Sequence, residues 1–356
     1  MLKSLFITTS EVGAGTGGGI VSYNIALALK ESTDLQLILC DGASTIAPSV
    51  NINPAAYGQP NSVFLWDYFA SQFVKKVDLA HIRGDPFGVT VQKLKKMGAK
   101  VVVDVPAHNA ELSIEEFKRL GLVYPFRHMI DERLWKMYSE HVNLADVVVA
   151  PSTLSRDYIL NSGRFKVKGE VVIIPHGCEI PDRVTYVNDI NVGYMGAIGP
   201  DKGVVYLIEA MRKVNANLVL AGRQTEYINI RDENLARRTK KLGYVKNISD
   251  FYNSINIYVQ SSITEGFGLE VLEAMAHGRP VIVTEGTGAK DLVEDGKNGF
   301  IVPIRNPDAI AEKIQYFIDN PSEIFRMGQN AREKAKLYTW ENVRRLYINL
   351  YEDLCR

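Results

Sequence analysis

The stretch Thr264-Glu265-Gly266-Phe267-Gly268-Leu269-Glu270-Val271-Leu272-Glu273-Ala274-Met275 follows an apolar run ending near Gln260 and opens a segment with helical spacing. A strand, a glycine turn and a helix in immediate succession form half of a βαβ unit, the building block of a parallel sheet. Gly266 and Gly268 let the backbone turn tightly, and the amides of Phe267, Gly268 and Leu269 form the positive end of the helix. A phosphate or diphosphate suits that place. Glu265 precedes the helix, and Glu273 lies one turn inside it, close to the face of Leu269 and Glu270. Carboxylates on either side of an anion site accept hydrogen bonds from hydroxyls flanking a diphosphate. Glu270, in the first turn, reads as a complement to the helix dipole.

Working outward, the same alternation fills the chain. Strands are expected over 5–8, 35–40, 79–82, 101–105, 147–150 and 171–174, with a helix over 20–30 after the first. A polar linker over 181–188 interrupts the pattern, which restarts with strands over 192–195, 218–220, 242–245, 257–259, 281–284 and 300–302. The last segments, 321–336 and 340–354, are helical by apolar spacing with no strand after them. The expected fold class is α/β: two doubly wound, Rossmann-like parallel-sheet domains over 1–178 and 179–339 facing across a cleft, with 340–356 packing back on the first.

Composition agrees with an ordinary globular chain. The 356 residues are 46% hydrophobic and 23% charged, with 41 basic and 41 acidic side chains. The balance holds on both sides of residue 180, at 18 of each before and 23 of each after, so neither half is built for a polyanion and nucleic acid is not the expected partner. Lys93, Lys95, Lys96 and Lys100 read as a solvated helix face, although a membrane-surface role stays open. Cys40, Cys178 and Cys355 form no metal or redox motif, and they read as buried thiols in a reducing compartment. The apolar core Leu5, Phe6 and Ile7 is too short for a signal peptide, and no run approaches a membrane span, so the expected location is the cytoplasm.

Two further strand ends carry chemistry. Gly13, Gly15 and Gly18 satisfy G-x-G-x-x-G, and Asp41 ends the next strand, which taken alone suggests NAD. The loop is richer in glycine than that fingerprint needs, with Gly17 and Gly19, and no Tyr-x-x-x-Lys pair accompanies it. A flexible entry to the first helix is the plainer alternative. In the second domain Gly196-Ala197-Ile198-Gly199-Pro200-Asp201-Lys202-Gly203 precedes a helix, and a lysine beside a helix start is unfavourable unless an anion binds there.

Together these residues resemble family 4 of the retaining GT-B glycosyltransferases, which includes mannosyltransferases, sucrose-phosphate synthases and trehalose synthases. The resemblance covers nearly the whole chain: the N-terminal glycine loop, the segment 145–152, Ile174-Pro175-His176-Gly177, Lys202-Gly203, Leu220-Ala221-Gly222 and the Glu265/Glu273 E-x7-E block occur in the family's order. Gly278-Arg279-Pro280 and Gly296-Lys297-Asn298-Gly299 follow it. The resemblance implies a hexosyltransferase of the EC 2.4 class that works without a metal or other cofactor. Its donor would be a nucleotide sugar such as UDP-glucose or GDP-mannose, held mainly by the second domain. The acceptor, a glycan, lipid, protein or small metabolite, would lie against first-domain loops such as 54–66 and 110–127.

By the same similarity Glu265 would contact the donor sugar, Glu273 the ribose, and Lys202 the diphosphate. The amides of Phe267, Gly268 and Leu269 would face the distal phosphate or sugar and Tyr244 and Val245 the base, while Gly266, and Gly18 and Gly19 from the first domain, would also bind the donor. His108 is the best match to a histidine near the donor sugar, though about two residues late; His81 is the alternative, and His176 reads as a turn residue. The family carries an arginine where this chain has Ala197, so one diphosphate cation is missing unless Arg223 substitutes; Asp291 replaces a common glutamate. Ala197 keeps a catalytically weak nucleotide-sugar-binding protein open as an alternative, beside an NAD-dependent oxidoreductase and a nucleotide-sugar epimerase.

Overall fold

The computed structural model describes residues 2–9, 12, 17–39, 46–51, 60–84, 88–124, 132–223 and 228–356. Gly13, Gly15, Cys40 and Asp41 lie outside them. In chain order the first elements are β1 Lys3–Thr8, α1 Gly17–Ser32, β2 Asp34–Leu39, β3 Ser49–Asn51, α2 Pro60–Phe73, β4 Leu79–Arg83, α3 Gly88–Lys96, β5 Lys100–Asp104, α4 Ala110–Arg119, α5 Glu132–Leu144, β6 Val147–Ala150, α6 Thr153–Asn161 and β7 Glu170–Ile173. They are followed by β8 Asn191–Met195, α7 Val204–Met211, β9 Asn217–Ala221, α8 Glu233–Arg237, β10 Thr239–Lys241, α9 Ile248–Asn253, β11 Ile257–Gln260, α10 Leu269–Ala276, β12 Val281–Thr284, β13 Gly299–Val302, α11 Pro307–Asp319, α12 Pro321–Ala335 and α13 Trp340–Cys355.

The chain divides into two compact units. One comprises Met1–Ala107, Tyr124–His176 and Trp340–Arg356, the other His108–Val123 and Gly177–Thr339. In the first, a parallel sheet runs β3-β2-β1-β4-β5-β6-β7. Its central strands are β-branched and buried on both faces, Val101, Val103 and Val148 packing with Ile7, Ile82 and Trp66, as a sheet covered by helices requires. At the carboxyl ends, Arg83 and Asp104 are register neighbours and form an ion pair at 3.2 Å. Helix α13 closes over this edge: Tyr347 Oη donates to Asp104 Oδ2 at 2.9 Å, and Tyr351 Oη and His81 Nδ1 are hydrogen-bonded at 2.7 Å.

The second unit has the sheet order β10-β9-β8-β11-β12-β13, again parallel throughout. Sheet order reverses at β8, flanked by β9 and β11, and such a switch point opens a crevice beyond the carboxyl ends of the strands.

Three expectations need correction. The strand expected over 242–245 lies at β10, because the edge pairing with β9 is made by Thr239, Lys240 and Lys241, a polar run that an outer strand tolerates. The segments 54–66 and 110–127, expected as loops, contain the start of α2 and the whole of α4. Helix α4 is capped by Asn109, whose Oδ1 accepts from the Leu112 amide at 2.9 Å. Finally, a boundary at 178 places α4 with the first domain, whereas His108–Val123 groups with the second unit. The cause is Glu116, fully buried against Tyr206 and Arg305 of that unit.

Candidate active site

The site is built at the carboxyl ends of β8 and β11. Leaving β8, the chain bends at Gly196 and forms a 3-10 turn over Pro200–Lys202, closed by Gly203 in the left-handed region at φ 64°. A Cβ on Gly203 would stand 2.0 Å from the Ser261 carbonyl oxygen, so only glycine lets the turn approach the chain leaving β11. The Ile263 amide donates to Asp201 O at 2.7 Å, and Ser261 Oγ donates to Lys202 O at 3.2 Å. This backbone docking aims Lys202 at Glu265, and Lys202 Nζ donates to Glu265 Oε2.

Glu265 is fixed from the other side. Its amide donates to Gly286 O and its carbonyl accepts from the Gly288 amide, each at 2.9 Å. Gly268, at φ 91°, turns the chain into α10, while Phe267 is sunk in the core and anchors the turn. Burial alone would raise the Glu265 carboxyl, but the Lys202 ammonium outweighs it and holds the group below the usual carboxylate range. Burial likewise opposes the Lys202 charge, and Glu265 and Asp201 reverse that effect, so the ammonium stays protonated. The result is a preformed ion pair.

His108 joins this pair. The next residue, Asn109, donates its amide to Thr264 Oγ1 at 2.9 Å, tying the start of α4 to the residue before Glu265. Burial and then the Lys202 charge lower the His108 imidazole, so it is neutral at physiological pH and can exchange hydrogen bonds with hydroxyls.

Glu273 accepts from Tyr252 Oη at 3.0 Å. Burial, then the charge of Glu270, pushes its carboxyl up to about 8. Glu270 is pushed up to about 7 by burial and by Glu265, so it is only partly charged near neutrality and complements the helix dipole less than its place in the first turn suggests. Glu273 therefore holds its proton at neutral pH and Glu270 is partly protonated, which lessens repulsion toward an incoming anion. A layer of fully buried tyrosines supports them: Tyr194 Oη donates to Ala197 O at 2.7 Å, Tyr258 Oη to Met195 O at 3.0 Å, and Tyr252 Oη shares its one hydrogen between Glu273 and Glu270 O, the latter at 3.0 Å.

The structure thus brings together Lys202, Glu265, His108, Gly266, Phe267, Gly268, Leu269 and Glu273. The exposed Arg223 lies over the ring of the half-exposed Tyr244, its guanidinium carbon 5.5 Å from the centroid, with Val245 packed on the core nearby. Gly18 and Gly19 lie in the first turn of α1 in the other unit, with Gly19 buried. His81 is a core residue of that unit, held by Tyr351 and packed edge-on to Phe6, and burial followed by Arg83 lowers its pKa to about 3. His176 is buried and lowered to about 3 for the same reasons. Burial pushes the Cys178 thiol up to about 12, which leaves it unreactive.

Sequence reasoning missed the carboxylate that seats α4. Glu116 accepts from Tyr206 Oη at 2.5 Å and from Arg305 Nε at 2.7 Å, and Tyr206 Oη also accepts from Arg119. No local motif could reveal partners 90 and 189 residues away.

Residues 180–334 match the family described as glycosyl transferases group 1. An uncharacterized glycosyltransferase of Methanocaldococcus jannaschii is 31% identical over 204 residues, 55% of this chain and 58% of that one. The capsular polysaccharide biosynthesis glycosyltransferase CapM of Staphylococcus aureus is 34% identical over 171 residues, 44% of this chain and 45% of the relative. The chain thus spans about half the length of the curated relatives it matches. Among solved structures, sucrose-phosphate synthase from Thermosynechococcus elongatus superposes with a TM-score of 0.79 at 20% identity, covering 99% of both chains. Anabaena HepE in complex with UDP and glucose gives 0.78 at 19% identity, covering 99% of this chain and 100% of that one. The fold is the GT-B architecture of two Rossmann-like parallel-sheet units.

Proposed function

We propose that this chain is a hexosyltransferase that moves a sugar from a nucleotide-diphosphate donor to an acceptor hydroxyl, with retention and without a metal. The observation that carries the reading is the Lys202–Glu265 ion pair, with His108 beside it, at the amino end of α10. Lys202 and the α10 amides face the diphosphate, and their positive charge stabilises the departing nucleotide as the glycosidic C–O bond breaks. Glu265 accepts from sugar hydroxyls, Glu273 from the ribose, and neutral His108 orients hydroxyls near the anomeric carbon. The match over 180–334, and a neighbouring fold solved in complex with UDP and glucose, support a nucleotide-sugar donor rather than NAD. The acceptor, whether glycan, lipid, protein or small metabolite, is read by the first unit. The free thiols Cys178 and Cys355 suit a reducing cytoplasm.

Ala197 favours one second reading, a nucleotide-sugar-binding protein with little turnover. Its carbonyl takes the Tyr194 hydroxyl, and no side-chain cation stands at that position. Protonation of Glu270 and Glu273 offsets part of the missing charge by removing negative groups rather than adding a positive one.

The test is binding and slow hydrolysis of UDP-glucose and GDP-mannose by the native chain and by Lys202→Met. Loss of one preorganised cation at the leaving group lowers turnover by about 10²- to 10³-fold. Equal turnover in the variant refutes the transferase site, and binding without any turnover in the native chain selects the second reading.

A further inference from the structure

Helix α2 is apolar on two opposite sides. Trp66, Ala70 and Val74 are buried in the core of the first unit, as expected of a helix covering a parallel sheet. The other face holds Leu65, Tyr68, Phe69 and Phe73, which are 52%, 54%, 46% and 48% exposed. At 100° per residue these four and the exposed Gln72 share one arc, so over residues 65–73 the outward face has Gln72 as its single polar member. A helix apolar all round belongs in an interior, and a contiguous exposed apolar face marks an interaction surface.

The rim of this face is basic. Lys75 and Lys76, directly after the helix, are exposed. Lys93 Nζ on α3 donates to Ser71 O at 2.6 Å, which lays the lysine run of α3 along the later half of α2, and Lys96 of that run is exposed. The nearby acids are engaged: Asp67 accepts the Val89 and Thr90 amides at 2.8 and 3.1 Å, and Asp78 accepts the Lys3 amide at 2.8 Å. Lys95 is set aside, because Asp146 binds it at 2.7 Å.

We propose that the Leu65, Tyr68, Phe69 and Phe73 face of α2, with Lys75, Lys76 and Lys96 at its rim, docks the protein on the surface of a bilayer rich in anionic lipid. Aromatic and aliphatic side chains in one plane with lysines beside them match an interfacial helix, whose apolar face enters the acyl boundary while the ammonium groups meet headgroup phosphates. A second copy of the chain fits less well. Pairing two such faces gathers the lysines of both copies around one interface, a concentration of like charge that anionic headgroups neutralise and a second copy does not. Among the described residues no helix is long and apolar enough to cross a membrane. None of these residues belongs to the Lys202–Glu265 site, so the proposal stands apart from the donor chemistry.

The experiment is cosedimentation of the full chain with phosphatidylcholine vesicles, with and without phosphatidylglycerol, beside size-exclusion chromatography. The native chain sediments with the anionic vesicles, less so at high salt. Phe69→Ser/Phe73→Ser loses at least about tenfold in partitioning, and Lys75→Gln/Lys76→Gln loses about fivefold per lysine at low salt. Unchanged circular dichroism and unchanged thermal unfolding in both variants show that the fold is kept. The proposal is overturned if the native chain ignores anionic vesicles, or if the double serine variant binds them as well as the native chain. It is equally overturned if the native chain is a dimer that ignores the vesicles and the serine variant is a monomer.

Discussion

Glu115 and Glu116 are neighbours on α4, and both reach Arg305, yet their replacement by glutamine has very different consequences. Glu116 is fully buried, whereas the Glu115 side chain is 60% exposed and its 3.0 Å ion pair faces water. Glu116→Gln removes a buried carboxylate from Arg305 Nε and Tyr206 Oη and leaves those donors with a weaker acceptor. Breaking a fully buried pair costs about 3–5 kcal/mol, and because Arg305 keeps 26% of its side chain in water, about 2–3 kcal/mol is the appropriate range. Arg305 is also the one non-glycine residue at positive φ among the described residues, at 57°. That conformation costs roughly 1–2 kcal/mol and is held by this clamp. Glu115→Gln, losing an exposed pair, costs less than about 1 kcal/mol. Native-state hydrogen exchange reads the difference locally, without assuming that two units unfold together. Protection of the α4 amides falls roughly 30- to 150-fold in Glu116→Gln and less than about fivefold in Glu115→Gln. Equal losses in the two variants, or full protection in Glu116→Gln, would refute the idea that burial of this carboxylate seats α4 and, through it, His108.

Two buried groups, His81 in the first unit and Glu273 in the second, couple to pH in opposite directions. His81 titrates near 3 when folded, because burial and then Arg83 oppose its charge, against 6.5 unfolded, so its contribution to stability is lost as pH falls from about 6.5 toward 3. Glu273 is raised from 4.5 to about 8, so its contribution is complete below about 4.5 and is lost as pH rises through about 8. Exchange measured across pH should show β4 and α13 loosening in acid and α10 loosening in alkali; a common direction for both contradicts the assignment. Gly203→Ala forces a methyl to 2.0 Å from a backbone oxygen at φ 64°, for a cost of roughly 2–4 kcal/mol and a displaced Lys202. Gly296→Ala, in the same unit at φ 72° with no atom within 4 Å, costs only about 1–2 kcal/mol, and urea midpoints compare the two.

What the sequence announces is whatever is encoded locally. The β-branched runs of β5, β6 and β12 must be buried on both faces, which dictates a parallel sheet with helices on each side. The turn at Gly203 and the turn at Gly268 are each written within a few residues, and so Lys202 and Glu265 could be placed at strand ends before any geometry was known. Edges and long-range partners carry no such mark. Strand β10 is three polar residues with a neighbour on one side only, and its apolar sequel over 242–245 looks more like a strand than the strand itself. Tyr194, Tyr252 and Tyr258 read as ordinary core residues by spacing, since nothing local shows that their hydroxyls shape the backbone around the site. His108 shows the limit most sharply: it stands two residues late for the family pattern, and what seats it at the Lys202–Glu265 pair is the Asn109–Thr264 bond and a glutamate eight residues on, clamped by an arginine far along the chain. Local motifs therefore fix the charges of this site, while its shape depends on contacts that only folding brings together.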